Sequence, residues 1–91
     1  MTYTLILTPQ AQKHLEEWGK SGQKKTLEKI ARLLEEITLH PTTGTGQVEQ
    51  LRGNLSGFWS RRINKADRII YSIEEEKVIV TVISMKGHYS D

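Results

Sequence analysis

The spacing of apolar residues changes from three-and-four to two across one short stretch, His40 to Gly46, and that change limits what 91 residues can fold into. Upstream of it the pattern is helical. Leu27, Ile30, Ala31, Leu34 and Ile37 recur at helix spacing, Leu33 widens the stripe, and His40-Pro41 stops the element because a residue before proline avoids the helical region. A shorter helix precedes it. Thr8-Pro9 supplies a hydroxyl cap and a first-turn proline, Ala11, Leu15 and Trp18 form the apolar stripe, and Gly19 to Gly22 marks the end. Before both lies Tyr3 to Leu7, a run of β-formers that predicts a strand.

Downstream of Gly46 the alternation predicts three further strands, Phe58 to Ile63, Arg68 to Ile73 and Val78 to Met85. The turn-like segments 64–67 and 74–77 separate them. The implied class is α+β: an N-terminal strand and two helices packed on one face of a mainly antiparallel sheet. Ile69, Tyr71 and Ile73 fall on one face of the middle strand, where Tyr71 reads as packing; Arg68, Ile70 and Ser72 fall on the other. Phe58 and Trp59 point to opposite sides, which predicts one in the core and one exposed. If the last strand stays extended, Ser84, Lys86 and His88 share a face opposite Ile83 and Met85, and His88 approaches the face of Arg68, unless Gly87 bulges and breaks the phase.

A chain of this length is one domain, residues 1–91, burying about 60 to 65% of the surface its unfolded form exposes. There is no cysteine, so neither disulfides nor thiolate metal ligands are available. His14 and His40 have no partner at metal-ligand spacing and read as structural, so no metal site or cofactor is expected. No apolar run approaches membrane-spanning length, and the N-terminal residues lack the basic start and cleavage site of a secretory signal; a cytoplasmic protein is expected. Net charge is only +2, yet residues 52 to 68 hold Arg52, Arg61, Arg62, Lys65 and Arg68 against Asp67 alone, which leaves the rest of the chain at −2. A basic face on an acidic body follows. Four of those five cations are arginine, whose planar fork suits phosphate; the competing reading is a solvated sheet face whose arginines pair with helix glutamates.

Three stretches carry a resemblance. Gly44-Thr45-Gly46-Gln47-Val48-Glu49-Gln50-Leu51, then Asn54-Leu55-Ser56-Gly57-Phe58-Trp59-Ser60-Arg61-Arg62-Ile63, then Arg68-Ile69-Ile70-Tyr71 with a terminal His88-Tyr89, resemble in order and spacing the YoeB/Txe-type toxins of the RelE superfamily. The likeness is close over the C-terminal half and architectural over the first 43 residues, and Ser90 and Asp91 extend past the usual His-Tyr end. It implies a RelE-like fold and a ribonuclease that cuts messenger RNA in the ribosomal A site. It also implies a YefM-like antitoxin as partner, while the sequence leaves open whether the free toxin is a monomer or a homodimer. By family position Glu49, Arg68 and His88 fill the roles of base, charge stabiliser and acid. Tyr89 would stack on a base or position phosphate, Arg62 would hold the scissile or an adjacent phosphate, and Arg52, Arg61 and Lys65 would contact ribosomal or messenger backbone.

Taken without that resemblance, Glu49 is an ordinary surface carboxylate and His88 an exposed imidazole near a chain end. Arg68 could simply pair with Asp67 or a helix glutamate. Two other classes share the same residues. One is a RelE-fold gyrase inhibitor of the ParE type, which has no use for a proton donor and acceptor; the other is a non-catalytic RNA-binding module using the same basic face.

Overall fold

A computed structural model describes residues 2–87; His88 and Tyr89 therefore lie outside the described residues. Strand β1 (Thr4–Leu7) leads into helices α1 (Pro9–Lys20) and α2 (Lys24–Leu39), followed by β2 (Glu49–Gln50), β3 (Phe58–Arg62), β4 (Arg68–Glu74) and β5 (Ile79–Ser84). The sheet order is β1-β5-β4-β3-β2, antiparallel except where β1 runs parallel to β5. The expected class is therefore found, with one addition: the polar stretch at Glu49 is itself a two-residue edge strand. None of the described helices is long and apolar enough to cross a membrane.

The capping signals act as the sequence suggests. Thr8 Oγ1 accepts a hydrogen bond from the Ala11 amide at 3.1 Å and Pro9 occupies the first turn of α1. Helix α2 has no side-chain cap, so its apolar face must hold it in place. That face is centred on Ile30, Leu33 and Ile37, all buried, whereas Ala31 is exposed. Both helices cover the same side of the sheet, where they meet Ile69, Tyr71, Val80, Val82 and Met85. Each such side chain contributes about 1.5 to 3 kcal/mol on burial, which offsets the ordering of the chain.

Two details of the strands depart from expectation. Trp59 packs on the core, as one of the Phe58–Trp59 pair should, but Phe58 on the other face is half-buried rather than exposed. The last strand also does not stay in phase to its end. Tyr71 pairs with Val82 and Ile70 with Ser84, so Ile83 is skipped and a bulge falls there rather than at Gly87. Met85 is consequently turned into the core beyond the end of β5.

Arg61 is the largest correction. It alternates with Ser60 and Arg62 and so points under the helices instead of into solvent, where it is fully buried. Burying a guanidinium is tolerable only if its donors are used. Here Nη1 bonds the Glu36 carboxylate of α2 and the Thr45 carbonyl, Nη2 bonds the carbonyls of His40 and Thr43 (2.7 Å to the latter), and Nε bonds the Tyr71 hydroxyl at 3.2 Å. The Tyr71 hydroxyl in turn donates a hydrogen bond to the Pro41 carbonyl at 2.6 Å, so it is more than packing. Burial pushes the Tyr71 phenol above its ordinary value, with Arg61 opposing the shift. An arginine read as a backbone contact for RNA is thus the internal anchor of the 40–45 loop, and none of its donors faces solvent.

Glu36 closes that anchor. Its carboxylate also accepts from the Thr45 amide and hydroxyl, and those bonds, led by the amide, hold it below the usual carboxylate range, with Arg61 adding to the effect against desolvation. Gly44 is required beside it, since φ is +120° and a Cβ there would run into the Glu36 carboxylate.

Because the folded-state value is the lower one, the stabilisation from Glu36 is complete above the unfolded-state value and is lost as pH falls through the folded-state value. Wild-type denaturation midpoints should therefore drop, as pH falls below about 5, by more than those of Glu36→Gln. At neutral pH that variant should lose about 2 kcal/mol, less than for a fully enclosed ion pair because the Glu36 side chain is 30% exposed and Arg61 keeps three carbonyl acceptors. Equal acid slopes in urea titrations would disprove the assignment.

Candidate functional site

The sheet face away from the helices collects the polar residues by register. Glu49 pairs with Ser60, Ser60 with Ile70, and Ile70 with Ser84, so these four form one row across four strands. Arg62 pairs with Arg68 in the next row on the same face, about 7 Å further along the strands. One carboxylate and two guanidinium groups thus come to a common surface from β2, β3 and β4. Glu49 is exposed while Arg62 and Arg68 are half-buried.

Tight local geometry fixes that row. The Arg62 amide bonds the Gly46 carbonyl at 2.6 Å, and the Leu51 amide bonds the Phe58 carbonyl at 2.9 Å, which ties both ends of the Glu49 segment to β3. A Cβ at Gly46, where φ is +93°, would lie 3.3 Å from both the Arg62 carbonyl and Leu33, so the loop can approach β3 this closely only with glycine there. The anchor at Arg61 holds the same loop from below. The basic side of α2 adjoins the site, since Lys29, Gln47, Arg62 and Lys65 line one groove.

Two buried polar atoms on this face, Ser60 Oγ and Arg68 Nη1, have no hydrogen-bond partner among the described residues. An unpaired buried donor costs on the order of 1 to 3 kcal/mol, and such cost is commonly found where a ligand later supplies the missing acceptor. Alternation alone could have placed Ser60 beside Arg62, but only the pairing with Glu49 shows that it sits between the carboxylate and the arginines.

Of the other expected residues, Lys65 lies exposed in the turn after β3, and Arg52 lies exposed in the connection from β2 to β3. Lys65 shares the groove with Arg62, and neither residue joins the rows of the face. Arg61 is on the opposite side, as described. The chain reaches the site again at Gly87, whose carbonyl accepts from the Arg68 amide at 2.9 Å and whose amide donates to Asp67 Oδ1 at 2.8 Å. Asp67 therefore holds backbone rather than pairing with Arg68. No cluster of three or more His, Cys, Asp or Glu able to hold a metal occurs among the described residues.

Two helices over a five-stranded sheet, with a carboxylate and two arginines on its open face, set the class as a small α+β domain, and relatives make the assignment narrower. Residues 7–89 match the model of the YoeB-like toxins of bacterial type II toxin-antitoxin systems, and the chain belongs to that family. Toxin YoeB of Synechocystis is 40% identical over 79% of this chain and 81% of its own length, and Toxin YoeB of Escherichia coli K12 is 35% identical over 79% and 83%. Among solved structures, the YoeB dimer of Staphylococcus aureus superposes with a TM-score of 0.81 at 31% identity, covering 98% of this chain and all of that one. The heterotetrameric YoeB-YefM complex from the same organism gives 0.79 at 31% identity, with the same coverage.

If the Ser60 hydroxyl is held unpaired for a ligand, Ser60→Ala should leave the free protein as stable as wild type or up to about 1 kcal/mol more stable, since a methyl group needs no partner. Thermal melts would show this, and a loss above about 1 kcal/mol would mean that the hydroxyl bonds within the fold.

Proposed function

We propose that this chain is a ribosome-dependent endoribonuclease toxin that cuts messenger RNA in the A site and thereby halts translation, with a YefM-like antitoxin as its restraint. The observation that carries the reading is the common face of Glu49, Arg62 and Arg68, where the buried Nη1 of Arg68 has no acceptor among the described residues. Membership of a toxin family whose solved members include a YoeB-YefM complex supports the antitoxin, and the Staphylococcus aureus dimer supports self-association.

The chemistry needs three tasks. Glu49 takes the proton of the ribose 2′-hydroxyl, whose oxygen attacks the adjacent phosphorus. Arg68, with Arg62 beside it, neutralises the charge that builds on the phosphorane-like transition state. His88 then protonates the departing 5′-oxygen as the phosphorus–oxygen bond breaks, leaving a 2′,3′-cyclic phosphate and a 5′-hydroxyl. Side chains supply acid, base and cation, so no step calls for a metal. Tyr89 stacks on a base or positions phosphate, and His88-Tyr89 follows Gly87, which is bonded to Asp67 and Arg68. Arg52 and Lys65, both exposed, contact backbone phosphates; Arg61 does not take part.

Primer extension on a defined messenger with purified 70S ribosomes tests this. Wild type should cut within the A site, and Glu49→Ala, Arg68→Ala and His88→Ala should each lose about 10²- to 10⁴-fold while melting like wild type. Intact messenger with folded wild-type protein would turn the reading toward gyrase inhibition or passive RNA binding. Arg52→Ala and Lys65→Ala should instead weaken binding, each lowering the slope of log affinity against log salt by about 0.7 to 0.9.

A further inference from the structure

Met85 lies past the bulge and past the end of β5, where the sheet no longer supplies partners for its backbone. Helix α1 supplies them instead. His14 Nδ1 accepts from the Met85 amide at 3.0 Å, and one turn later on the same helix Trp18 Nε1 donates to the Met85 carbonyl at 2.8 Å. Two side chains at i and i+4 thus satisfy both polar groups of one residue 67 to 71 positions away. The accepting Nδ1 carries no proton, which places the ring proton on Nε2. Lys86 is bound to the same helix, its ammonium 3.1 Å from the Glu17 carboxylate and 5.2 Å from the centre of the Trp18 ring. Gly87 is then held from the other side by Asp67 and the Arg68 amide.

Residues 85 to 87 are therefore fastened to α1 on one side and to the start of β4 on the other, immediately before His88. We propose that His14 and Asp67 are positioning residues for the RNA-cleaving site: they set where the chain enters the His88-Tyr89 dipeptide relative to Arg68, though neither touches RNA. This rests on the ribonuclease reading with His88 as the acid. A general acid must come within hydrogen-bond reach of its leaving group, and an error of about 1 Å costs up to about 100-fold. Burial of Trp18 and Met85 makes α1 a rigid reference for that placement.

The test uses His14→Phe, which keeps a ring but has no acceptor, His14→Asn, whose Oδ1 stands near the position of Nδ1, and Asp67→Ala at the other end. Amide hydrogen exchange followed by NMR reads the fastening without any need for activity. In His14→Phe the Met85 amide should exchange at least about 10-fold faster while Ile69 and Tyr71 keep wild-type protection, and His14→Asn should restore it. Single-turnover cleavage of ribosome-bound messenger should slow by about 10- to 100-fold in His14→Phe and Asp67→Ala, with half-saturating ribosome concentration unchanged and His14→Asn recovering the rate. Unchanged Met85 exchange in His14→Phe overturns the proposal, as does wild-type cleavage in a variant whose Met85 or Gly87 amide has lost protection. If the wild type itself cleaves nothing while exchange behaves as expected, the ribonuclease reading fails and the positioning role falls with it.

Discussion

A fully buried guanidinium organises the molecule. Arg61 needs acceptors that a hydrophobic core does not contain, and the chain provides them by folding the 40–45 loop back over β3 so that three carbonyls, a carboxylate and a phenol converge on it. The loop can pass that closely only with glycine at positions 44 and 46. One consequence is structural, because α2, the loop and two central strands are joined through a single side chain. The other bears on the site: the same loop runs directly into Glu49, so the position of an exposed carboxylate depends on a charge on the far side of the sheet.

The two faces of β3 thus divide the labour between adjacent arginines. Arg61 spends its donors inside, whereas Arg62 and Arg68 stand on the open face with Glu49, and Arg68 retains a buried donor that has no acceptor among the described residues. Replacing Arg61 by lysine would not be conservative, since a point charge cannot serve carbonyls spread around a planar fork. In the proposed function an arginine on the open face meets a different demand, the recognition of phosphate. Helix α1 makes a comparable contribution at the other end of the chain, where His14 and Trp18 hold the backbone of Met85 just past the end of β5.

Much of this was legible in the residues. The change of apolar period located the helices and the strands; Thr8-Pro9 and His40-Pro41 marked helix ends; and alternation separated Tyr71 from Arg68. The same rule, had it been applied to β3, would set Arg61 and Arg62 on opposite faces. Charge counting alone grouped them, because a basic window suggests a solvated surface and carries no sign of which cation has internal acceptors. Ala31 and Phe58 were misplaced for a related reason, since their burial depends on what covers them.

The sequence by itself determined the class of fold, the family and the identity of the charged residues, because periodicity, capping and ordered motifs act over a few neighbouring positions. Tertiary structure alone decided that Arg61 is an anchor, that Ser60 lies between Glu49 and the arginines, and that His14 holds Met85. Those facts rest on strand register, a one-residue bulge and partners up to 71 positions apart. Local sequence signals do not encode such pairings, which arise when the whole chain satisfies its buried polar groups at once.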